Sequence, residues 1–214
     1  SVVPTQTRGI VTICGAPRYI SKAITLARSL NIHCADIRRA VITDPSYKAL
    51  RKYYDIIVPF EKNEERTMQL KLQLYKYCPF EKVIYLDSDC MVVKNFTFLF
   101  QIFKKNSFGV IGENISKGYW YMDIEKTVKR YNLQTIPKFN GGLYYFVKNE
   151  YAKEIFTCAR AFLDSYDEMG IERFRGNPSD EPILAIALGM KGIRAIDDHG
   201  KGMQTPLGFS GNIV

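Results

Sequence analysis

The chain has 214 residues, of which 46% are hydrophobic and 24% are charged, a composition typical of a globular protein with a full core. Lys, Asp or Gly interrupts every apolar run within about ten residues, so no segment is predicted to cross a membrane. The net charge of +8 favours an anionic partner such as a phosphate group or an acidic membrane. The basic residues are scattered and form no nucleic-acid-binding signature, so we do not expect nucleic acid as a partner.

The five cysteines are widely spaced and form no CxxC pair: Cys14, Cys34, Cys78, Cys90 and Cys158. Such cysteines are typical of reduced, buried thiols in a cytoplasmic protein, and not of a disulfide framework or a zinc site. The opening SVVPTQTRG lacks the charged and apolar regions of a signal peptide. The closing LGFSGNIV shows no mark of a natural domain edge, so the sequence is compatible with a fragment of a longer protein.

Strands and helices alternate along the first half of the chain. The helical spacing of Ile20, Ile24, Ala27 and Leu30 predicts an amphipathic helix after the first strand. In chain order we predict a strand over 8–14, a helix over 18–31, a strand over 38–43, a short helix over 45–54, a strand over 55–60, a helix over 64–77 and a strand over 83–87. This order predicts an α/β fold with a mainly parallel central sheet and helices on both faces.

The second half is less regular. We predict helices over 96–105, 149–167 and 180–190, and strands over 108–113, 142–148 and 192–197. The sequence has no internal repeat and no linker-like segment. We therefore predict a single domain over residues 1–214.

Two carboxylates interrupt the apolar run VIYLDSDCMVV at residues 83–93. Alternate residues of an extended chain point the same way, so we expect Asp87 and Asp89 to converge on a divalent cation or a shared proton. The alternative is a strand-to-turn junction in which the acids only cap the turn. Ligands of open α/β sheets bind beyond the carboxyl ends of the strands, so we expect the segment Gly15-Ala16-Pro17 to border the same crevice.

Several segments, in this order, resemble the nucleotide-sugar glycosyltransferases of family 8. They are IVTICGAPRYISKAITLARSL, the run ERTMQLKLQLYKYCPFEKVIYLDSD with its DxD motif, FNGGLYYF, SDEPILAIAL and, in part, HGKGMQTP. The resemblance implies a GT-A fold, which is a Rossmann-like sheet with helices on both faces. It also implies Mn²⁺ or Mg²⁺ as cofactor, a UDP-sugar donor, a glycan or protein-linked acceptor, and hexosyl transfer with retention of the anomeric configuration.

The resemblance implies a metal site formed by Asp87, Asp89 and His199. A lone histidine is more often structural, but the spacing of His199 from the following glycine and proline resembles the closing segment of the family. The family's lysine in that segment is Thr205, so we expect Lys201 to replace it at the diphosphate. The residues expected to contact the donor are Gly15, Ala16, Tyr19, Lys71, Ser88, Gly141, Gly142, Lys201 and Gly202.

Three residues are expected to hold the donor sugar: Asn140, Asp180 and Glu181. Asn-Gly is also a favoured hairpin turn, and Ser179 followed by two acids is also an ordinary helix start. Glu181 departs from the glutamine that is usual in the family. A carboxylate at this position can stabilise an oxocarbenium-like transition state or attack it.

Two other classes of function compete with this interpretation. One is a non-catalytic domain that binds a nucleotide sugar. The other is a DxD phosphohydrolase of the haloacid dehalogenase type, which Met91 disfavours because that class carries Thr or Val there. A sugar-nucleotide pyrophosphorylase is disfavoured because its Gly-rich loop is missing. The positive charge is compatible with peripheral contact to a phosphorylated or membrane-bound acceptor.

Overall fold

The computed structural model describes residues 6–61 and 67–197. In the first half the elements are β1 (Gln6–Cys14), α1 (Ile20–His33), β2 (Arg39–Thr43), β3 (Ile56–Pro59), α2 (Thr67–Lys71), α3 (Leu74–Tyr77) and β4 (Phe80–Leu86). In the second half they are α4 (Leu99–Ile102), β5 (Phe108–Gly109), β6 (Gly112–Ile115), α5 (Ile124–Arg130), β7 (Ile136–Phe139), β8 (Leu143–Val147), α6 (Glu150–Asp164) and α7 (Asp180–Met190).

The main sheet has six strands in the order β3-β2-β1-β4-β8-β5. The first four strands in this order are parallel to one another, and β8 is antiparallel to both β4 and β5. A second sheet pairs β6 with β7 in antiparallel fashion. The predicted α/β fold with a mainly parallel central sheet is therefore confirmed.

Helices cover both faces of the main sheet. Successive residues of a strand point to opposite faces, so the apolar residues of β4 pack against helices on both sides. On one face Val83 and Tyr85 belong to a core cluster that includes residues of α6 and α7. On the other face Ile84 and Leu86 pack with residues of α1 and α4. Within the described residues, no helix is long and apolar enough to cross a bilayer.

Three of the predicted helices differ from the structure, and the one predicted over 96–105 is limited to Leu99–Ile102. The helix predicted over 45–54 is a 3-10 helix over Lys48–Lys52, because Asp44 first closes a turn by accepting the backbone N–H of Ser46 at 2.8 Å. The helix predicted over 64–77 is two short helices in its described part. The backbone breaks at Gln73, whose N–H bonds to Leu70 in a tighter turn.

Two of the predicted strands also differ. The run 108–113 is divided between β5 in the main sheet and β6 in the second sheet. Within the described residues, the strand predicted over 192–197 is reduced to a single bridge between Ile196 and Ile111. The side-chain amide of Asn114 hydrogen-bonds both backbone groups of Ala195 and takes the place of a strand partner.

Candidate functional site

The site lies at the carboxyl end of β4, where β8 begins. Because the two strands are antiparallel and Leu86 pairs with Leu143, the turn before β8 lies beside the residues that follow β4. The N–H of Asp87 donates to the carbonyl of Gly142 at 3.0 Å. The strand pairing thus brings the DxD segment next to the turn before β8, although the two are more than fifty residues apart in sequence.

The DxD segment forms a turn at the end of β4. The strand ends at Leu86, and the N–H of Cys90 closes the turn by donating to the carbonyl of Asp87 at 3.0 Å. The extended-chain argument for convergence of Asp87 and Asp89 is therefore wrong, because alternation of side chains holds only within a strand. The alternative of a strand-to-turn junction describes the backbone correctly. Asp87 is half-buried, Ser88 is buried and Asp89 is exposed.

The side chain of Lys71 is buried at the centre of the site. Its ammonium lies 3.1 Å from Asp87 Oδ1 and 2.9 Å from Asp180 Oδ2, and it donates to the carbonyl of Gly141 at 3.1 Å. Burial lowers the pKa of Lys71, but the nearby carboxylates of Asp180 and Asp87 outweigh it and raise the pKa well above its usual value. The cation of Lys71 thus joins three segments of the chain.

Two stacked tyrosines, Tyr85 and Tyr144, lie beside the ammonium of Lys71 and Asp87. The hydroxyl of Tyr85 donates to Asp87 Oδ1 at 2.6 Å, and the ammonium of Lys71 lies 5.2 Å from the centre of the Tyr85 ring. Tyr85 stacks on Tyr144 with ring centres 4.9 Å apart. Burial and the charge of Asp87 raise the pKa of Tyr85, so its hydroxyl remains a donor. One oxygen of Asp87 is thus held in place by two donors.

The glycine turn between β7 and β8 packs directly against α7. The N–H of Gly141 donates to Glu181 Oε1 at 2.8 Å, and Asn140 Oδ1 accepts the N–H of Gly142 at 2.8 Å. A Cβ on Gly141 would lie 2.9 Å from Asp180 Oδ2. A side chain at this position would therefore displace the Asp180 carboxylate, whereas glycine lets the backbone lie close to α7. The turn is not a hairpin, because β7 and β8 belong to different sheets.

Helix α7 begins at the site with an ordinary cap. The N-cap Ser179 accepts the N–H of Glu181 through its hydroxyl at 3.3 Å, as the sequence predicts. Glu181 is largely buried, and burial raises the pKa of its carboxyl, while the hydrogen bond from Gly141 opposes this rise. Its second oxygen, Oε2, accepts the hydroxyl of Tyr121 at 3.0 Å.

The structure thus brings together seven of the twelve predicted site residues that lie in its described part. The cluster contains Lys71, Asp87, Asn140, Gly141, Gly142, Asp180 and Glu181. Gly15, Ala16 and Tyr19 follow β1, the parallel neighbour of β4, and so lie at the same edge of the sheet. The ring of Tyr19 lies 4.9 Å from the guanidinium of Arg18. His199, Lys201 and Gly202 lie outside the described residues.

Sequence reasoning missed three tyrosines of the site: Tyr85, Tyr121 and Tyr144. Two of them lie in apolar strands, where tyrosine is expected as a core residue. The alternation of β4 was the available signal, because the backbone bond from Asp87 to Gly142 continues the strand pairing one residue past Leu86, so Asp87 shares the side of Tyr85 two residues earlier. Tyr121 carries no such signal, since it lies in an irregular segment sixty residues before its partner.

The donor set of the turn suits a hard divalent cation. The carboxylates of Asp87 and Asp89 supply oxygen ligands, which Mg²⁺ and Mn²⁺ prefer. Among the described residues, only one oxygen of Asp87 is bonded, and Asp89 makes no hydrogen bond or ion pair. Oxygens of this turn are therefore available to a metal. No group of three acidic, histidine or cysteine side chains in the described part forms a complete metal site.

Several solved structures are similar to this chain. The galactosyltransferase LgtC in complex with donor and acceptor sugar analogs is 19% identical with a TM-score of 0.65, over 87% of this chain and 72% of that chain. Core-mannan synthase A from Aspergillus fumigatus in its Mn/GDP form is 9% identical with a TM-score of 0.59, over 90% of this chain and 73% of that chain. Mouse xyloside xylosyltransferase 1 is 12% identical with a TM-score of 0.55, over 92% and 86%.

At these identities the structural likeness shows the fold alone. A comparison with curated proteins found no match. The family model described as glycosyl transferase family 8 matches residues 12–189, which include the DxD turn, the glycine turn and all of α7 except its last residue. This match over most of the sequence, together with the GT-A fold, shows that the chain belongs to glycosyl transferase family 8.

Proposed function

We propose that this glycosyltransferase moves a hexose from a UDP-sugar to a glycan or protein-linked acceptor, with a divalent metal and with retention of the anomeric configuration. The observation that carries the proposal is the buried ammonium of Lys71. It joins Asp87 of the DxD turn to Asp180 of α7 and to the glycine turn. One expected metal ligand, Asp87, is therefore connected through Lys71 to the segments expected to hold the donor sugar.

The metal would be held by Asp87 and Asp89, with His199 as a third ligand. A bound Mn²⁺ or Mg²⁺ would offset the negative charge of the diphosphate leaving group. The Mn/GDP form of core-mannan synthase A supports a metal and a nucleotide on this fold. Lys71 is a cation beside this turn, and its position between two carboxylates keeps it charged and fixed.

The hexose would lie against the glycine turn and the start of α7. Asn140, Asp180 and Glu181 are the polar groups at this place, and the close backbone approach at Gly141 leaves no side chain between them. The carboxylate of Glu181 would stabilise the positive charge that develops on the sugar. An active-site mutant of LgtC that replaces glutamine with glutamate has the same fold as this chain, with a TM-score of 0.63.

The remaining donor contacts extend from this centre. Gly15, Ala16 and Tyr19 would border the nucleotide beyond β1, and the aromatic ring of Tyr19 would stack on the base. Ser88, Gly141 and Gly142 would face the diphosphate and sugar. The alternatives of a binding domain without turnover and of a phosphohydrolase are outcomes of the test below.

Thermal unfolding with UDP-glucose or UDP-galactose tests the proposal. A ligand at one hundred times its Kd stabilises the native state by about 2.7 kcal/mol, which raises the Tm of a protein of this size by roughly 5–11 °C. We expect this rise with Mn²⁺ and not with EDTA. Asp89→Asn should abolish the rise without changing the Tm of the free protein, because Asp89 is exposed.

Product analysis completes this test. Release of UDP that requires Mn²⁺, with a retained anomeric configuration in the product NMR spectrum, is the expected result. Metal-dependent binding without any UDP release would instead support the non-catalytic domain. A full rise in Tm with EDTA, or in Asp89→Asn, contradicts the metal assignment. The absence of any rise with either UDP-sugar contradicts the donor assignment.

A further inference from the structure

The carboxylate of Glu181 is held from two sides by two different segments of the chain. Gly141 donates to Oε1 from the glycine turn, and Tyr121 donates to Oε2 from the segment before α5. The two contacts fix the plane of the carboxylate, since each oxygen has its own donor. The donor of Gly141 is its backbone N–H, which a side-chain substitution does not remove. The donor of Tyr121 is a side-chain hydroxyl, which substitution by phenylalanine removes.

The hydroxyl of Tyr121 is itself oriented. Ser179 Oγ donates to the Tyr121 oxygen at 3.4 Å, so the tyrosine proton is directed towards Glu181. Burial raises the pKa of Tyr121 to about 12, so the hydroxyl stays protonated throughout the neutral range. A short chain of hydrogen bonds thus runs from the cap of α7 through Tyr121 to Glu181.

The backbone of Tyr121 has an unusual conformation. Its φ is +58°, a left-handed conformation that costs an L-residue about 1–2 kcal/mol and that glycine or asparagine adopts more easily. Such a conformation persists only where the surroundings hold it. The N–H of Glu172 donates to the Tyr121 carbonyl at 2.7 Å, and Trp120 donates to Met122 at 3.0 Å. The chain therefore accepts local strain where the phenol reaches Glu181.

We propose that Tyr121 is a positioning residue of the transferase, whose hydroxyl aims the Glu181 carboxylate at the donor sugar. This inference rests on the proposed function, in which Glu181 faces the sugar. Tyr121 need not touch the substrate itself. It acts through the orientation and the charge of Glu181.

The expected effect on pH dependence follows from the groups around Glu181. Burial and the charge of Asp180 raise the pKa of Glu181, whereas Gly141, Tyr121 and the ammonium of Lys71 lower it. Removing the Tyr121 hydroxyl removes one of the lowering contributions, so the pKa of Glu181 rises further. The ionised form is then lost at a higher pH, and the acid limb of the rate profile moves upward.

The test compares Tyr121→Phe with Tyr119→Phe. Tyr119 lies on the same segment, is exposed and hydrogen-bonds Glu172 instead of Glu181. In Tyr121→Phe we expect kcat for release of UDP from UDP-glucose or UDP-galactose with Mn²⁺ to fall roughly tenfold, the loss of one hydrogen bond to a charged group. The donor KM should change little, and the acid limb of kcat should move to higher pH. Tyr119→Phe should leave both unchanged.

A double variant shows whether the effect passes through Glu181. In Glu181→Gln the amide can still accept from Gly141 and can donate to the Tyr121 oxygen, so the fold is retained. Adding Tyr121→Phe to Glu181→Gln should not move the pH profile further. If Tyr121→Phe moves the acid limb equally in both backgrounds, or in neither, the inference is wrong.

A measurement without turnover separates this inference from the proposed function. In ¹³C NMR, the carboxyl signal of Glu181, assigned by its loss in Glu181→Gln, should titrate at higher pH in Tyr121→Phe than in the wild type. An unchanged titration overturns the role of Tyr121, even if the wild type releases UDP. An inactive wild type with the expected NMR shift instead contradicts the donor assignment and leaves the coupling of Tyr121 to Glu181 established.

Discussion

Lys71 and Asp89 show how differently charged residues are used in one site. Lys71 is buried, and its pKa is raised because Asp180 and Asp87 surround it. Asp89 is exposed in the turn after β4 and is available to a ligand. The first residue organises the site in the absence of substrate, whereas the second is expected to act only when metal and diphosphate bind. The two roles predict that loss of Lys71 lowers the stability of the free protein, whereas loss of Asp89 affects only ligand binding.

Lys71→Met should therefore destabilise the free protein. Removal of one partner from a buried ion pair costs about 3–5 kcal/mol, because the remaining charges are left unpaired. We expect a loss of this size in the free energy of unfolding by urea, together with loss of UDP release. Lys129→Met is the control, since Lys129 forms an exposed pair with Glu125 that contributes roughly 0.3–0.5 kcal/mol. Equal stabilities of the two variants contradict a structural role for the buried cation.

At the scale of elements, helix α7 contributes both to the hydrophobic core and to the site. Its hydrophobic residues are buried from Pro182 to Leu188, while its first turn carries Asp180 and Glu181 into the site. Helix α6 packs beside it and is also capped by a side chain, since Asn149 accepts the N–H of Ala152 at 2.9 Å. The two helices thus have similar caps, but only one cap is connected to functional groups.

Ser179→Ala and Asn149→Ala form a matched pair. Loss of a helix N-cap costs about 1 kcal/mol, so both variants should melt roughly 2–4 °C below the wild type. Only Ser179→Ala should also lower kcat, because Ser179 bonds the Tyr121 hydroxyl and positions Glu181. Differential scanning calorimetry and UDP release measure the two effects. An activity loss that is the same in both variants would mean that stability alone explains it.

At the scale of the whole molecule, a buried arginine holds α1 against the main sheet. Arg39 begins β2, and its guanidinium is almost fully buried, with the carbonyl of Ala27 at 3.0 Å and the amide oxygen of Asn31 at 2.8 Å. It also reaches carbonyls in the segment between α1 and β2. This single side chain satisfies the end of α1 and lies at the opposite end of β2 from the functional edge of the sheet.

Arg39→Leu should lower global stability without changing the chemistry of the site. It leaves several buried acceptors unpaired, and we expect a loss of about 3 kcal/mol, or roughly 6–12 °C in Tm. Arg38→Leu is the neighbouring control, because Arg38 is exposed and lies 3.7 Å from Asp55. Below the melting range, the KM for the UDP-sugar should be unchanged in both variants. A changed KM in Arg39→Leu would show that α1 also shapes the donor site.

Much of the fold is predictable because it depends on local patterns. The apolar runs of β1, β2, β4 and β8 and the periodicity of α1 are visible in the sequence, and the predicted bounds of α7 agree with the structure. Two of the errors occur where a side chain replaces a backbone partner. Asp44 delays a helix, and Asn114 takes the place of a strand beside Ala195.

The sequence by itself determined the α/β class, the position of the DxD segment at the end of a buried strand and the cap of α7, because each depends on local patterns of residues. Only the tertiary structure decided that Lys71 is buried between Asp87 and Asp180, and that Tyr121 reaches Glu181. These contacts join segments far apart in the chain. They depend on β8 lying antiparallel beside β4 and on the close approach at Gly141, and no local pattern specifies either.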